Sequence, residues 1–210
     1  MDAALSKSEL RRHYRRERRR QGPAALAPIA ARLAEVVDTL SAPGLRLGLY
    51  WPQASEIDLR PAAQAGGWCL ALPAVALLEL PVSEPRRPGP DPAAALRYRA
   101  WEPGMELVPD RCGIPAPPAA SAPLSAAELG LLLIPALAID RRGIRLGSGG
   151  GWYDRLRSDP GWRAVPAIAV LPAACVREVL PVDPWDVPLD GWLDENGLHR
   201  LGGPPKVAGL

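Results

Sequence analysis

The sequence predicts an α/β domain of three layers, a mostly parallel sheet with helices on both faces. Three observations carry this. Strand-length apolar runs alternate with helical segments, the pattern that a parallel sheet with crossover helices requires. The apolar run Leu131–Ile139 has the length of one buried strand, and Asp140 closes it. At 210 residues the chain is long enough for one substantial core and short for two. One domain over 1–210 is therefore expected, with 1–42 an N-terminal helical pair packed on it.

In chain order, Ser6-Lys7-Ser8-Glu9 has the form of a capping box. The helix it starts should run to about Arg20, where Gly22-Pro23 stops it. A second helix, Ala24 to Leu40, carries Leu26, Ile29, Leu33 and Val37 at helical spacing. Leu45–Tyr50 reads as a first buried strand ending in Trp51-Pro52, and Asp58 as the cap of a short helix near 59–65. Trp68–Val75 is a second strand, residues 81–93 a Pro-rich polar loop, and Ala95–Trp101 a strand with Arg97 and Arg99 on one face. Another Pro-rich connection, 109–125, leads to Leu131–Ile139. Beyond it come a polar turn, Arg141-Arg142-Gly143, a glycine-rich stretch, and a short helix over about 151–157. Val165–Val170 and Val187–Trp192 read as strands, and Asn196-Gly197 as a two-residue hairpin turn.

Composition narrows the class. With 48% apolar and 23% charged residues the chain is an ordinary soluble globular protein. The net charge of +2 hides an asymmetry: residues 1–20 hold eight Lys/Arg against three Asp/Glu, leaving the rest of the chain net acidic. A dense basic helix is a solvated face by default, and otherwise meets nucleic acid or bound phosphates. Cys69, Cys112 and Cys175 are widely spaced and form no C-x-x-C pair, which argues against a disulfide framework or a zinc site and fits a reducing compartment. Two histidines, His13 and His199, argue against a His-based metal site. No apolar run has transmembrane length, and the basic N-terminus lacks the apolar segment of a secretory signal. A cytoplasmic monomer is expected.

The chemistry-bearing stretch is Arg145-Leu146-Gly147-Ser148-Gly149-Gly150-Gly151-Trp152-Tyr153-Asp154. Four glycines in five positions offer no core packing and cost backbone entropy to order. They offer bare N–H groups and close backbone approach next to a helix start, which suits an anion such as phosphate. The stretch is neither a P-loop, which needs Gly-Lys-Ser/Thr, nor a dinucleotide loop, because Trp152 stands at the third glycine position. Glu56, just past the end of the first strand, lies where α/β sheets bind ligands.

The segments YWPQASEIDL, RYRAWEPG, GIPAP, IPALAIDRRGIRLGSGGGWYDR and VPLDGW, in this order, resemble the 5-formyltetrahydrofolate cyclo-ligase (methenyltetrahydrofolate synthetase) family. Lys7-x-x-Leu10-Arg11 fits the family's start. The resemblance implies an enzyme that uses ATP and Mg²⁺ to cyclise 5-formyltetrahydrofolate, with or without a polyglutamate tail, to 5,10-methenyltetrahydrofolate, releasing ADP and phosphate. It implies Lys7 and Arg11 as phosphate contacts, and Arg145 through Tyr153 wrapped around the nucleotide. Arg145 and Asp154 would carry the catalysis, Asp154 and Asp190 would bind the metal, and Trp51, Glu56 and Trp152 would contact the folate. At the far end of the helix, Arg18, Arg19 and Arg20 are expected to contribute little. The sequence departs from the family at Trp152 (usually tyrosine or phenylalanine), at Ser148 and Gly150 (larger or basic in some members) and at Trp185 (often histidine). The competing reading is a non-catalytic folate- or nucleotide-binding module whose basic helix contacts RNA. No membrane partner is expected.

Overall fold

A computed structural model describes residues 5–77 and 94–202; the Pro-rich loop expected at 81–93 lies outside them. The first helix, α1 (Lys7–Arg20), starts where the capping box predicts, with the Ser6 hydroxyl accepting from the Glu9 N–H and the Glu9 carboxylate accepting from the Ser6 N–H. The expected second helix is two, α2 (Gly22–Ala31) and α3 (Leu33–Leu40), separated at Arg32, whose φ of −88° and ψ of 2° leave helical geometry. There follow β1 (Arg46–Gly48), α4 (Arg60–Ala65), β2 (Leu70–Leu77) and β3 (Ala94–Trp101). In β3, Arg97 is exposed and Arg99 buried. The second Pro-rich connection holds part of a small antiparallel pair, β4 (Val108–Pro109) and β5 (Pro115–Ala116).

The apolar run read as one strand is also two. Strand β6 (Leu129–Pro135) belongs to the main sheet, while β7 (Ala138–Asp140) pairs with β8 (Arg145–Leu146) and, further on, β10 (Val176–Arg177). Pro135 has no N–H to extend the ladder, and two residues later the Leu137 N–H already bonds to the Leu146 carbonyl of the small sheet. The chain closes with α5 (Trp152–Arg157), α6 (Pro160–Ala164), β9 (Ala167–Val170), β11 (Gly191–Asp194) and β12 (Gly197–Arg200). The strand expected at Val187–Trp192 thus begins at Gly191. In its hairpin Asp194 opposes Gly197, so the loop residues are Glu195 and Asn196, one position earlier than Asn196-Gly197.

The main sheet has the order β12-β11-β9-β6-β1-β2-β3. Its five central strands are parallel, and the two edge strands, β12 and β3, are antiparallel. From β1 the chain moves outward to β2, then returns to β6 on the other side of β1. In open α/β sheets that reversal opens a crevice at the carboxyl ends of the two strands. Strand β6 shows why the sheet is covered twice: Leu132 and Ile134 join one apolar cluster with Leu10, Tyr14, Leu156 and Trp162, while Leu131 and Leu133 join another with Ile29, Leu33, Val36 and Ala63. Helices α1, α5 and α6 therefore cover one face and α2, α3 and α4 the other. The N-terminal segment packs on the sheet as three helices, α1 on one face and α2 and α3 on the other. Among the described residues no helix is long and apolar enough to cross a membrane.

Candidate active site

The crevice at the β1/β6 reversal is a cleft. The segments leaving the two strands, with Tyr50, Trp51, Pro135 and Ala136, contribute to its lining, and so do the glycine stretch and α1. The turn before the glycine stretch is locked by Asp140. Its fully buried carboxylate accepts from the N–H groups of Arg142, Ile144 and Leu180 at 2.9, 3.0 and 2.9 Å. Gly143 closes the turn with φ +85°, and a Cβ there would stand 2.5 Å from the Leu189 carbonyl oxygen. Asp110, which does line the cleft, is engaged in the same way by the Val75, Cys112 and Ile114 N–H groups. These two carboxylates hold turns.

The glycines of the loop serve close approach. Gly149 and Gly151 have φ values of +117° and +61°, conformations that side chains disfavour. At Gly147 an added Cβ would collide with the Arg145 guanidinium, and at Gly150 with the Trp152 indole. Helix α5, which the loop enters, is only six residues long. An anion here would depend on the loop's own N–H groups and the surrounding cations more than on a helix dipole, which needs aligned peptides over several turns.

Helix α1 supplies those cations from one face. Lys7, Arg11 and Arg18 line the cleft. Arg11 Nε donates to the Gly147 carbonyl at 3.0 Å, and Arg15 Nη2 to the Ser148 carbonyl at 3.3 Å. Lys7 Nζ bonds to Asp183 at 2.7 Å and Asp186 at 2.6 Å. Burial alone would lower the Lys7 pKa, but hydrogen bonds to Asp183 and Asp186 hold its ammonium above the ordinary lysine value. Arg145 lies over the Tyr153 ring at 5.3 Å and pairs with Asp154 Oδ2 at 3.0 Å. Burial raises the Tyr153 phenol pKa far enough to keep it protonated, against the pull of Arg145.

At the other end of the cleft, Glu56 is presented by a tight turn in which Ser55, a non-glycine, takes φ +70°. Glu56 Oε2 accepts from the Gln53 N–H at 2.9 Å, and Oε1 faces Arg18 Nη1 at 3.5 Å. Trp51 carries the Arg60 guanidinium 3.7 Å over its ring and meets Trp101 edge-on. Trp152 lies beneath the Arg155 guanidinium at 4.3 Å.

The structure thus brings together Lys7, Arg11, Trp51, Glu56, Arg145 through Tyr153, and Asp154. It does not bring Asp190 to them. Asp190 sits at the amino ends of β9 and β11, where its carboxylate accepts from the Ala167 N–H at 2.9 Å and faces Arg157 at 3.4 Å. That is a structural role outside the cleft lining. The carboxylates beside Asp154 are instead Asp186 and Asp183, four and seven residues earlier, with the Val187 N–H reaching Asp154 Oδ1 at 3.4 Å. Arg18 is a second correction: expected to contribute little, with Arg19 and Arg20, it is buried in the cleft wall. A signal for it existed, since Arg18 lies about three helical turns from Lys7, on the same face.

The model of the 5-formyltetrahydrofolate cyclo-ligase family matches residues 5–194. Relatives named 5-formyltetrahydrofolate cyclo-ligase include that of Haemophilus influenzae, 45% identical over 64 residues (30% of this chain, 33% of the relative). The Escherichia coli protein is 34% identical over 101 residues (48% of this chain, 56% of the relative). The matched segments therefore span about a third to just over half the length of these relatives. The NMR structure of Aquifex aeolicus 5,10-methenyltetrahydrofolate synthetase superposes with a TM-score of 0.67 at 25% identity, covering 94% of this chain and 93% of that one. A 5,10-methenyltetrahydrofolate synthetase structure from Mycoplasma pneumoniae gives 0.63 at 16% identity over 91% and 99%, a likeness of fold alone.

Proposed function

The chain belongs to the 5-formyltetrahydrofolate cyclo-ligase family, and on that premise we propose that it converts 5-formyltetrahydrofolate, with ATP and Mg²⁺, into 5,10-methenyltetrahydrofolate, ADP and phosphate. The observation that carries this reading is one cleft with two chemically distinct ends. Cations, glycine N–H groups and the carboxylates of Asp154, Asp183 and Asp186 lie at one end; an aromatic ring and the largely buried carboxylate of Glu56 lie at the other. In the reaction the formyl oxygen takes the γ-phosphoryl group from ATP. A neighbouring folate nitrogen then attacks the formyl carbon, loses its proton and expels phosphate.

Such a transfer asks the protein for positioning and charge neutralisation more than for a nucleophile. Lys7, Arg11 and Arg145 face the glycine loop and supply the positive charge. Two of them, Lys7 and Arg145, are held by Asp186 and Asp154, so each has a carboxylate to exchange for a phosphate. A small hard cation takes one or two carboxylates together with phosphate oxygens and water, and this donor set fits one. Asp154 and Asp186 both line the cleft, and among the described residues the hydrogen bond to Asp154 Oδ1 is a long one, 3.4 Å from the Val187 N–H. They would hold Mg²⁺, which when bound offsets the negative charge of the transferring phosphoryl group. Trp51, Trp152 and Glu56 would seat the pterin, the rings by stacking and Glu56 by accepting from its amino-pyrimidine edge.

The test is purified protein with 5-formyltetrahydrofolate, ATP and Mg²⁺, followed by the absorbance of the methenyl product. Product is expected only when all three are present. Binding of both ligands without turnover would replace this reading with that of a binding module.

A further inference from the structure

Arg18 is a buried charge that the chemistry above does not use. It is 7% exposed, while Arg19 and Arg20, next on the same helix, lie in solvent. Its Nη1 donates to the Ala136 carbonyl at 3.2 Å and stands 3.5 Å from Glu56 Oε1, and among the described residues its Nε has no hydrogen-bond partner. Burying a guanidinium with an unanswered N–H is unfavourable, and such a group in a native structure calls for an explanation. This one lines the cleft beside Glu56, Tyr50 and Ala136.

Glu56 can only accept while ionised, and Arg18 can only donate. Side by side they form a two-part pattern, acceptor then donor. The pyrimidine edge of a 4-oxopterin carries the complement: the 2-amino group and N3–H are donors, and the adjacent O4 is an acceptor. On the folate reading of the cleft, we propose that Arg18 and Glu56 read this edge together, Glu56 accepting from the amino group and N3–H while Arg18 donates to O4. Arg18 is then a specificity-determining residue that rejects 4-aminopteridines. In a 4-amino compound a donor replaces O4 and N3 carries no proton, so Arg18 faces a donor and Glu56 loses one.

The experiment is a calorimetric titration of the parent, Arg18→Met and Arg18→Lys with 5-formyltetrahydrofolate and with its 4-amino counterpart, with ATP binding as the check that each variant is folded. Removing Arg18 also disturbs Glu56, but the ratio of the two affinities isolates position 4. The parent should prefer the 4-oxo compound by about tenfold or more, the scale of a hydrogen bond to a charged group. Arg18→Met should lose most of that preference. If Arg18→Met does not bind ATP, Arg18→Lys decides, because a single ammonium in place of the fork should still cut the ratio severalfold. An unchanged ratio in the folded variant overturns the proposal, as does a parent that binds both pteridines equally well. A parent that binds ATP and neither pteridine overturns the folate reading itself, and this inference with it.

Discussion

Two arginine–aspartate pairs lie along α5, and they have opposite duties. Arg145 and Asp154 meet at 3.0 Å on the cleft wall. Arg157 and Asp190 meet at 3.4 Å at the amino ends of the parallel strands. The second pair is occupied by the backbone: Arg157 donates to the Val165 carbonyl at 2.9 Å, and Asp190 accepts from the Ala167 N–H at the same distance. In the first pair the backbone contacts are longer, both 3.4 Å, from Arg145 Nη1 to the Pro135 carbonyl and from the Val187 N–H to Asp154. The difference teaches that residue type does not mark a ligand group. A carboxylate available to a ligand is one that lines the cleft at the carboxyl ends of the strands, as Asp154 and Asp186 do, the latter while its Oδ2 also accepts from the Asp183 N–H at 2.8 Å.

The sharpest way to break this comparison is to neutralise one aspartate from each pair. Asp154→Asn should lower turnover on the order of 100-fold or more, the scale for losing a preorganised charge contact at the reacting group, with the protein still folded by circular dichroism. Asp190→Asn should do the reverse. Turnover should stay close to the parent's, while unfolding by urea should show a loss of about 1–3 kcal/mol, because Asn can still accept from the Ala167 N–H but leaves the buried Arg157 without its counter-charge. Equal turnover losses in the two variants would erase the distinction.

Smaller effects separate the two ends of the cleft. Replacing Lys7 and Arg11 together by methionine should raise the apparent ATP constant by roughly tenfold or more, as expected for two charge-assisted contacts, whereas neutral substitutions at the exposed Arg19 and Arg20 should leave it alone. A titration of ATP against both sets checks this, and a larger effect from Arg19 and Arg20 would favour a nucleic-acid role for the helix. Glu56→Gln should weaken 5-formyltetrahydrofolate binding by about tenfold, near 1.4 kcal/mol, with ATP affinity unchanged in the same calorimeter. Trp152→Tyr keeps an aromatic face and should change either affinity by no more than about twofold, a fraction of the 0.5–1.5 kcal/mol that such ring pairs contribute.

The parts of this molecule that were legible in the sequence are those set by local chemistry. The capping box at Ser6–Glu9, the glycine stretch and the alternation of strands with helices each depend on residues close in the chain, and each is where it was expected. The parts that were misread depend on distant partners. VPLDGW and the Asp186 before it offer two aspartates four residues apart, and only the pairing of β9 with β11 shows that Asp190 faces Ala167 while Asp186 faces Lys7. Pro135 inside the apolar run was visible, but not that the chain would change sheets just beyond it. Arg18 was hidden in a basic run whose members look alike until the helix is wound and its inward face identified.

The claim on which most depends is that the metal–nucleotide site lies at Asp154 and Asp186 and not at Asp190. Calorimetric titration of ATP, with and without Mg²⁺, into the parent, Asp186→Asn and Asp190→Asn tests it directly. The gain in ATP affinity that Mg²⁺ confers on the parent should disappear in Asp186→Asn and persist in Asp190→Asn. A gain that survives in Asp186→Asn and vanishes in Asp190→Asn, with that variant folded, would contradict the account.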